Sequence, residues 1–309
     1  PIEHARRFAA DAQKLQLPFK FHEEPRGDHW ADFQIPAYER AFDWLKTQKY
    51  EPPRKFSVVA GDLREARGHF AQIEAFENYD QLARLDVDVS VLRGKNAKIA
   101  VQTQNVAAFS LEIPREWARD AGLVPLEING QRAPISDARL PIRWQNPDAK
   151  RQKSPQRSGP FKSLLRDRFL LVYGDGNDKI AAQKFALEWR ECADGDAPLK
   201  SAAQIVASDK SNFHLILFGT RETNSLLREI ADELPLELTK NGFRRGETFV
   251  AGQNLGLRMV WKSPWNAQKM LGVCSGRNWG EALPVNHKWD LLPDFCVYSD
   301  KKEEDGTNA

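Results

Sequence analysis

The sequence has few cysteines, no long apolar run and almost no net charge. Its 309 residues include three cysteines (Cys192, Cys274 and Cys296), and none forms a Cys-x-x-Cys pair. This odd number excludes a disulfide framework, although three cysteines are still compatible with one disulfide and one free thiol. No apolar run reaches the roughly 18 residues that a transmembrane helix needs. The 45 Lys and Arg balance 43 Asp and Glu, which excludes a polybasic nucleic-acid binder and an acidic solvating chain.

The overall composition is that of a folded protein. Hydrophobic residues make up 41% and charged residues 28%, an ordinary globular balance that excludes disorder over most of the length. The length predicts about two domains. Residue 1 is Pro, and a helix-like pattern begins at once, without the charged and apolar segments of a signal peptide. We therefore expect a processed product or a fragment, whose start does not indicate where the intact protein works.

Residues 1–52 form the first predicted segment. Apolar residues recur at helical spacing over 3–16 and again over 37–47, and 18–23 is predicted to be a strand. Pro52 and Pro53 end the segment, because paired prolines lack N–H donors and stop helices.

Over residues 53–147 the hydrophobic period changes to two, which predicts a β-sandwich. Leu85, Val87 and Val89 alternate with polar residues, and other short runs behave alike. The run ending at residue 128 leads into Asn129-Gly130, which predicts a hairpin because both positions tolerate positive φ. The basic stretch 146–159 is interpreted as a linker (148–159) or exposed loop, and a phosphate-binding patch is the alternative.

Residues 160–298 alternate strands and helices, which predicts a small α/β layered, Rossmann-like domain. Phe169–Tyr173 and Phe213–Phe218 are predicted buried strands, and the helix after the first is expected to bury Ile180, Phe185 and Trp189. Residues 299–309 are charged and expected to form a flexible tail. The predicted fold class is thus mixed and multidomain.

The first segment also carries the most informative motif, Gly27-Asp28-His29. It stands between a predicted strand and a predicted helix, where an α/β-hydrolase places its base histidine. Gly27 gives the loop the freedom that the ring needs to swing toward a nucleophile. The alternative is a surface histidine on a turn. His22 is a poorer candidate because it lies within the predicted strand.

These residues resemble the C-terminal end of the prolyl oligopeptidase family of serine hydrolases, over 1–7 (PIEHARR) and 21–30 (FHEEPRGDHW). The resemblance covers about residues 1–50 and implies that His29 is the base, that Asp28 is only its neighbour, and that the triad acid lies upstream of Pro1. More loosely, the rest is similar to the long C-terminal extension of some large secreted members, including Gln102–Val106 and Phe218–Asn224. It also implies a secreted or periplasmic protein acting on a peptide or ester.

The nucleophile is missing from this sequence. No Gly-x-Ser-x-Gly occurs, and Ser275 lacks the glycine two positions before it. Serine hydrolases need an activated serine beside an oxyanion hole. We therefore expect this chain alone to be inactive, with serine and acid supplied by an upstream segment.

Two loops of the layered domain form a second candidate site, for a small anion or sugar. Gly174, Gly176 and Asn177 separate a strand from a helix, where backbone N–H groups can bind an anion. Thr220 and Asn224 lie in a similar turn, and both loops are expected at the carboxyl edge of one sheet. The alternative is a tight structural turn capped by Asn177 or Asp178.

No cofactor or metal is predicted, since no histidine or carboxylate pattern has ligand spacing. Nine tryptophans indicate either sugar platforms or core packing. The leading hypothesis is the C-terminal part of a serine hydrolase, without nucleic-acid partner or membrane span. The alternative is a glycan- or protein-binding module without catalysis. A nucleotide-binding α/β protein is a weaker third reading.

Overall fold

The computed structural model describes residues 2–23, 34–79, 81–119, 121–148, 153–245, 247–290, 292–304 and 306–308, with side chains of 34–37 left out. The chain divides into two compact units, Pro1–Pro52 and Pro53–Ala309. Within the described ranges, no helix has both the length and the apolar character to cross a membrane. The mixed α/β class predicted from the sequence is confirmed, and all three cysteines are free.

The described part of the first unit consists of two helices and a segment without regular secondary structure, residues 17–23. The helices are α1 (Ile2–Lys14) and α2 (Gln34–Thr47). The strand predicted over 18–23 is wrong: the segment forms no strand, because no described part of this unit offers the hydrogen-bonding neighbour that a strand requires. Its end is instead tied to α1 by Arg6, whose Nε donates to Glu23 Oε2 at 3.0 Å.

The apolar stripes of these two helices are exposed. Ala12 is the only buried residue of α1, while Phe8 is 68% and Phe42 is 60% exposed. Leu15 and Leu45 are exposed as well. The helices predicted from the amphipathic pattern are therefore present, but the described residues of this unit do not cover their apolar sides.

The second unit begins with a two-sheet region, residues 53–147. Its strands are β1 (Lys55–Ala60), β2 (Arg67–Gly68), β3 (Ala71–Phe76), β4 (Ala83–Val91), β5 (Lys98–Gln104), β6 (Val106–Leu111), β7 (Leu123–Ile128), β8 (Gln131–Asp137) and β9 (Ile142–Gln145). One sheet has the order β1-β4-β5-β7-β8 and the other β2-β3-β6-β9. A short helix, α3 (Arg115–Ala118), precedes β7.

The period-two pattern explains how these sheets pack. In β4, Leu85, Val87 and Val89 are buried, and they join residues of both sheets in one hydrophobic cluster. The predicted hairpin is confirmed, since β7 pairs antiparallel with β8 and both Asn129 and Gly130 have positive φ.

The layered region, residues 160–298, contains nine strands: β10 (Phe169–Tyr173), β11 (Leu199–Ser201), β12 (His214–Phe218), β13 (Leu236–Thr239), β14 (Gly242–Arg245), β15 (Thr248–Ala251), β16 (Gly256–Lys262), β17 (Met270–Gly276) and β18 (Phe295–Tyr298). Six of them form a sheet of order β11-β10-β12-β17-β16-β18. The first four strands of this order are parallel to one another, and β16 pairs antiparallel with both β17 and β18. A separate antiparallel sheet holds β13-β14-β15.

Helices cover both faces of the six-stranded sheet. Leu171 packs in one cluster with Phe185 of α4 (Gly176–Ala193), and Val172 packs in another with Leu226 of α6 (Ser225–Ile230). This explains the continuous apolar runs of the strands, since both faces are buried. A third helix, α5 (Ala207–Asn212), precedes β12. The expectation for Ile180 is wrong, because it lies on the outer side of α4 and is 64% exposed.

Two polar segments are better packed than their composition predicts. The described end of the basic stretch was expected to be exposed, but Lys153, Ser154 and Ser158 are buried. Lys153 finds polar partners in the layered region, at the Val260 carbonyl and Asp294, and Ser158 finds one in the two-sheet region, at Asp62. The expected frayed tail is also held in place: Gly280 N–H donates to Asn308 Oδ1 at 2.9 Å, and Asn308 Nδ2 donates to the Ser299 carbonyl at 3.0 Å.

Candidate functional site

The predicted base, His29, lies outside the described residues, as does its neighbour Gly27. The elements that precede and follow it, α1 and α2, are present. The rejected alternative, His22, has its Nε2 3.3 Å from Arg40 Nη2. His22 thus contacts a cation on α2 in an exposed position.

The two predicted ligand loops do follow neighbouring strands. β10 and β12 pair in parallel through Tyr173 and Phe218, so Gly174 and Thr220 stand at the same edge of the sheet. Asn224 is 0% exposed, donates through Nδ2 to the Phe218 carbonyl at 2.9 Å, and accepts from Leu226 N–H at 3.0 Å through Oδ1. Asn224 therefore caps α6 and fastens the loop, and its side chain is closed to a ligand.

Close packing explains the glycines of these loops. A Cβ on Gly174 would overlap the Thr223 carbonyl, and one on Gly219, which has a φ of +123°, would overlap the Asp178 carboxyl. Burial raises the pKa of Asp178, and the charge of Asp175 raises it further. Because a carboxyl group fills the space between the loops, the geometry favours a structural turn over an anion site.

The remaining predicted residues fit the same interpretation. Asp175 is the N-cap residue of α4, although its side chain makes no capping bond, and neither Asn177 nor Asp178 takes that position. Gly176 has open space around it, and Asn177 is exposed. Ser275 is buried, and its hydroxyl donates to the Gly219 carbonyl, which makes it a structural donor.

A charged pair that no sequence pattern indicated is buried where the two-sheet and layered regions meet. Lys153 is 2% exposed, and its Nζ donates to the Val260 carbonyl at 2.7 Å and to Asp294 Oδ2. The other oxygen of Asp294 accepts from the Gly159 N–H. Burial lowers the pKa of Lys153, while Asp294 opposes the change. Perturbed groups of this kind mark candidate functional sites.

A second carboxyl group lies nearby. Asp62 Oδ1 accepts from Arg64 N–H at 2.7 Å and from Ser158 Oγ at 3.3 Å. Burial raises the pKa of Asp62, and the negative charge of Asp294 adds to the rise.

Two cavities flank this charged cluster. The larger, about 630 Å³, is open and includes Asp62, Leu82 and Asp294 in its wall. The second, about 360 Å³, is lined by Lys153, Trp261 and apolar residues, and also by the polar side chains of Glu77, Asn78 and Arg245. Its size falls in the range of about 300–1,000 Å³ typical of small-molecule sites. We call this second cavity the Trp261 cavity.

One residue in the wall of the Trp261 cavity has an unsatisfied hydrogen-bond donor, which is itself buried. Trp261 is 4% exposed, and its Nε1 has no acceptor among the residues that the structure describes. The Lys153 ammonium lies 4.8 Å from the centroid of the Trp261 ring and 5.6 Å from that of Tyr79. The aromatic walls therefore already hold one cation.

The described ranges contain no group of three or more His, Cys, Asp or Glu side chains arranged to hold a metal ion. Comparisons with known proteins add no relative: no family model, no curated protein and no solved structure matches this chain.

Proposed function

We propose that the chain is the C-terminal part of a prolyl oligopeptidase-like serine hydrolase, a peptidase or carboxylesterase. The observation that carries the proposal is the order of elements around Gly27-Asp28-His29. Helix α1 is followed along the chain by the irregular segment 17–23, the Gly-x-His motif and helix α2. In this proposal His29 takes the proton of the nucleophilic serine and then gives it to the leaving group.

The uncovered apolar stripes of α1 and α2 support this proposal. Exposed side chains as large as Phe8, Leu15 and Phe42 are characteristic of surfaces that another protein element covers. In a hydrolase domain, these stripes would pack against the central sheet, and residues 17–23 would gain a neighbouring strand there. In this proposal, the missing remainder of the hydrolase domain explains both why residues 17–23 have no strand partner and why the apolar stripes are exposed.

Within this proposal, the remainder of the chain is accessory. The two-sheet region is a β-sandwich domain, and the layered region is a Rossmann-like domain, both shaping access to the substrate. The serine and the triad acid come from an upstream segment, since this sequence has no Gly-x-Ser-x-Gly. Secretion or a periplasmic location follows from the same resemblance.

A fluorophosphonate probe tests the proposal. The whole reading frame that contains this sequence is expressed beside the 309-residue chain, and both are treated with the probe. We expect the long form to label and the chain alone not to label. His29→Ala should abolish labelling in a folded long form, while His22→Ala and Ser275→Ala should leave it intact. A folded long form that never labels contradicts the proposal.

The alternative function is a binding module for a glycan or protein, without catalysis. The Trp261 cavity favours it, because a cavity of about 360 Å³ lined by aromatic and charged side chains has the size and lining of a small-molecule site. Glycan-array binding by a long form that does not label would support this alternative. Equal binding after Trp261→Phe would separate that glycan site from the cavity.

A further inference from the structure

We infer that a small cavity on the α4 side of the six-stranded sheet binds one small monovalent anion, a halide such as chloride, beside the guanidinium of Arg258. The cavity measures about 20 Å³, and its wall includes Arg258, Lys184, Glu188 and Lys288. We call it the Arg258 cavity. It lies in the Pro53–Ala309 unit, so the inference stands apart from the hydrolase proposal, which depends on residues 1–52.

The alternation of β16 places Arg258 on the same side of the sheet as this cavity. Its neighbours Leu257 and Met259 pack in the cluster that contains α6. Val260, two positions from Arg258, packs in the cluster that contains Phe185 of α4. Successive side chains of a strand point to opposite faces, so Arg258 shares the face of Val260. Phe185 also lines the Arg258 cavity, which therefore lies on that face.

The Arg258 guanidinium is buried without a carboxylate partner. Arg258 is 6% exposed, and its Nη1 donates to the carbonyls of Leu257 at 2.9 Å and Ser275 at 3.4 Å. Its Nε and Nη2 have no acceptor among the residues that the structure describes, yet both touch space that a water-sized molecule can enter, unlike Trp261 Nε1. A buried charge is unfavourable unless it is paired. An anion beside these two nitrogens would supply the missing acceptor and the missing charge.

The other charged groups of the cavity wall neutralise one another. Lys288 Nζ donates to Glu188 Oε1, and Lys184 Nζ donates to Glu281 Oε1 at 2.6 Å. Each lysine of the wall thus has its own carboxylate, and Arg258 has none. The wall therefore carries one positive charge in excess.

The titratable neighbours of Arg258 in the sheet do not cancel this charge. Cys274 and Cys296 stand opposite Arg258 on β17 and β18. Burial raises the pKa of each thiol to about 11, so both are neutral at pH 7. The Tyr298 ring, whose centroid lies 5.7 Å from Arg258 Cζ, also has its pKa raised by burial. None of the three supplies a negative charge.

The size of the cavity limits the anion to a single small ion. About 10–15 Å³ is needed to hold one water molecule, and the Arg258 cavity offers about 20 Å³. This volume is too small for sulfate, phosphate or a carboxylate ligand. A halide is compact, and its single negative charge matches the single positive charge in excess.

Chloride nuclear magnetic resonance of the 309-residue chain tests the inference. Bound chloride broadens the chloride signal, and gluconate keeps the ionic strength constant as chloride is varied. We expect a saturable broadening that bromide reverses, because bromide competes for the same cavity. Sulfate at the same ionic strength should not reverse it. A signal that does not broaden in a saturable way overturns the inference, as does displacement by sulfate equal to that by bromide.

Three variants complete the test. Arg258→Met should abolish the broadening, whereas Arg277→Met should leave it intact, because Arg277 pairs with Asp300 at the surface. Equal chloride binding by a folded Arg258→Met overturns the inference.

The third variant, Glu188→Gln, gives a result even if Arg258→Met does not fold. Gln keeps an acceptor for Lys288 but removes the negative charge nearest the proposed anion. Chloride should therefore bind about tenfold more tightly or better. An unchanged affinity in a folded Glu188→Gln contradicts a chloride ion in this cavity.

Discussion

Lys153 and Asp294 form a buried ion pair although 141 residues separate them in the chain. The ammonium also donates to the Val260 carbonyl, and the carboxylate also accepts from Gly159 N–H. Each charge thus has a second polar partner, which burial of an ion pair requires. The pair joins the segment after the two-sheet region to the residue that directly precedes β18, the last strand of the layered region.

Replacing Lys153 with methionine should strongly destabilise the second unit. Met has nearly the same shape, but it removes the ammonium that neutralises the buried Asp294 carboxylate and that donates to the Val260 carbonyl. Breaking a buried pair in this way costs about 3–5 kcal/mol of unfolding free energy. Urea denaturation of Lys153→Met and the parent measures the difference.

The matched control is Lys162→Met. Lys162 pairs with Asp290 at the surface, where the two side chains are 48% and 35% exposed. Exposed pairs contribute about 0–1 kcal/mol. Equal losses for the two lysine variants would mean that the burial of Lys153 has no energetic consequence.

Asp62→Asn should make stability less sensitive to pH. The folded state raises the pKa of Asp62, so the native protein holds this proton at a pH where the unfolded chain has lost it. Stability then falls as pH rises from the ordinary aspartate pKa through the raised one. Asn keeps the acceptor oxygen and has no charge. The variant should therefore gain stability relative to the parent as pH rises between the two pKa values, and it should keep that gain at higher pH.

The opposite sign is expected at Asp137, which serves as the comparison. Arg139 lowers the pKa of Asp137 to about 2. The ionised Asp137 therefore stabilises the folded state above the ordinary aspartate pKa, and this stabilisation is lost as pH falls toward 2. Denaturation curves for both Asn variants between pH 3 and pH 7 should therefore diverge in opposite directions. Parallel curves would show that Asp62 titrates normally.

Two glycines near the sheet edge should respond differently to alanine. Gly219 has a φ of +123° and no room for a Cβ, so Gly219→Ala should cost about 2 kcal/mol or more. Gly176 begins α4 in open space, and Gly176→Ala should stabilise the protein by up to about 1 kcal/mol. Thermal melts of the two variants decide the matter. A harmless Gly219→Ala would refute the close packing against Asp178.

The apolar stripes of the first unit should bind a hydrophobic dye. Phe8→Ser combined with Phe42→Ser should reduce fluorescence of anilinonaphthalene sulfonate bound to the 309-residue chain, because both rings are mostly exposed. Leu140→Ser is the control, since Leu140 is also exposed but lies in the second unit. An equal loss of fluorescence in the double variant and in Leu140→Ser would show that the stripes bind the dye no better than other exposed apolar residues do.

Local patterns were sufficient for much of the secondary structure. The alternation of Leu85, Val87 and Val89 predicted β4, and Asn129-Gly130 predicted the hairpin, because both signals depend only on neighbouring residues. Residues 18–23 were incorrectly predicted to form a strand, because a strand needs a hydrogen-bonded neighbouring strand that the sequence pattern does not reveal. The predicted burial of Ile180 was wrong for a related reason. Phe185 lies on the buried side of α4, and Ile180 lies outside that side.

The Trp261 cavity could not have been predicted from the sequence. Lys153 stands in a basic stretch that has the composition of a solvated loop, and burial of such a residue requires a distant carboxylate. Asp294 is that carboxylate, but no local pattern connects positions so far apart. The excess of tryptophan was the only available signal, and it did not distinguish Trp261 from the tryptophans that fill the core.

The long separation of Lys153 from Asp294 also has a consequence for biosynthesis. Chains emerge from the ribosome N-terminus first, and domains generally fold as units during this process. The two-sheet region is thus complete well before Asp294 leaves the ribosome. Until then, Lys153 remains hydrated and the wall of the Trp261 cavity that Phe295 supplies is absent. Nascent chains halted before residue 294 should therefore contain the two sheets without the junction, exposing Tyr79 to chaperones at that stage.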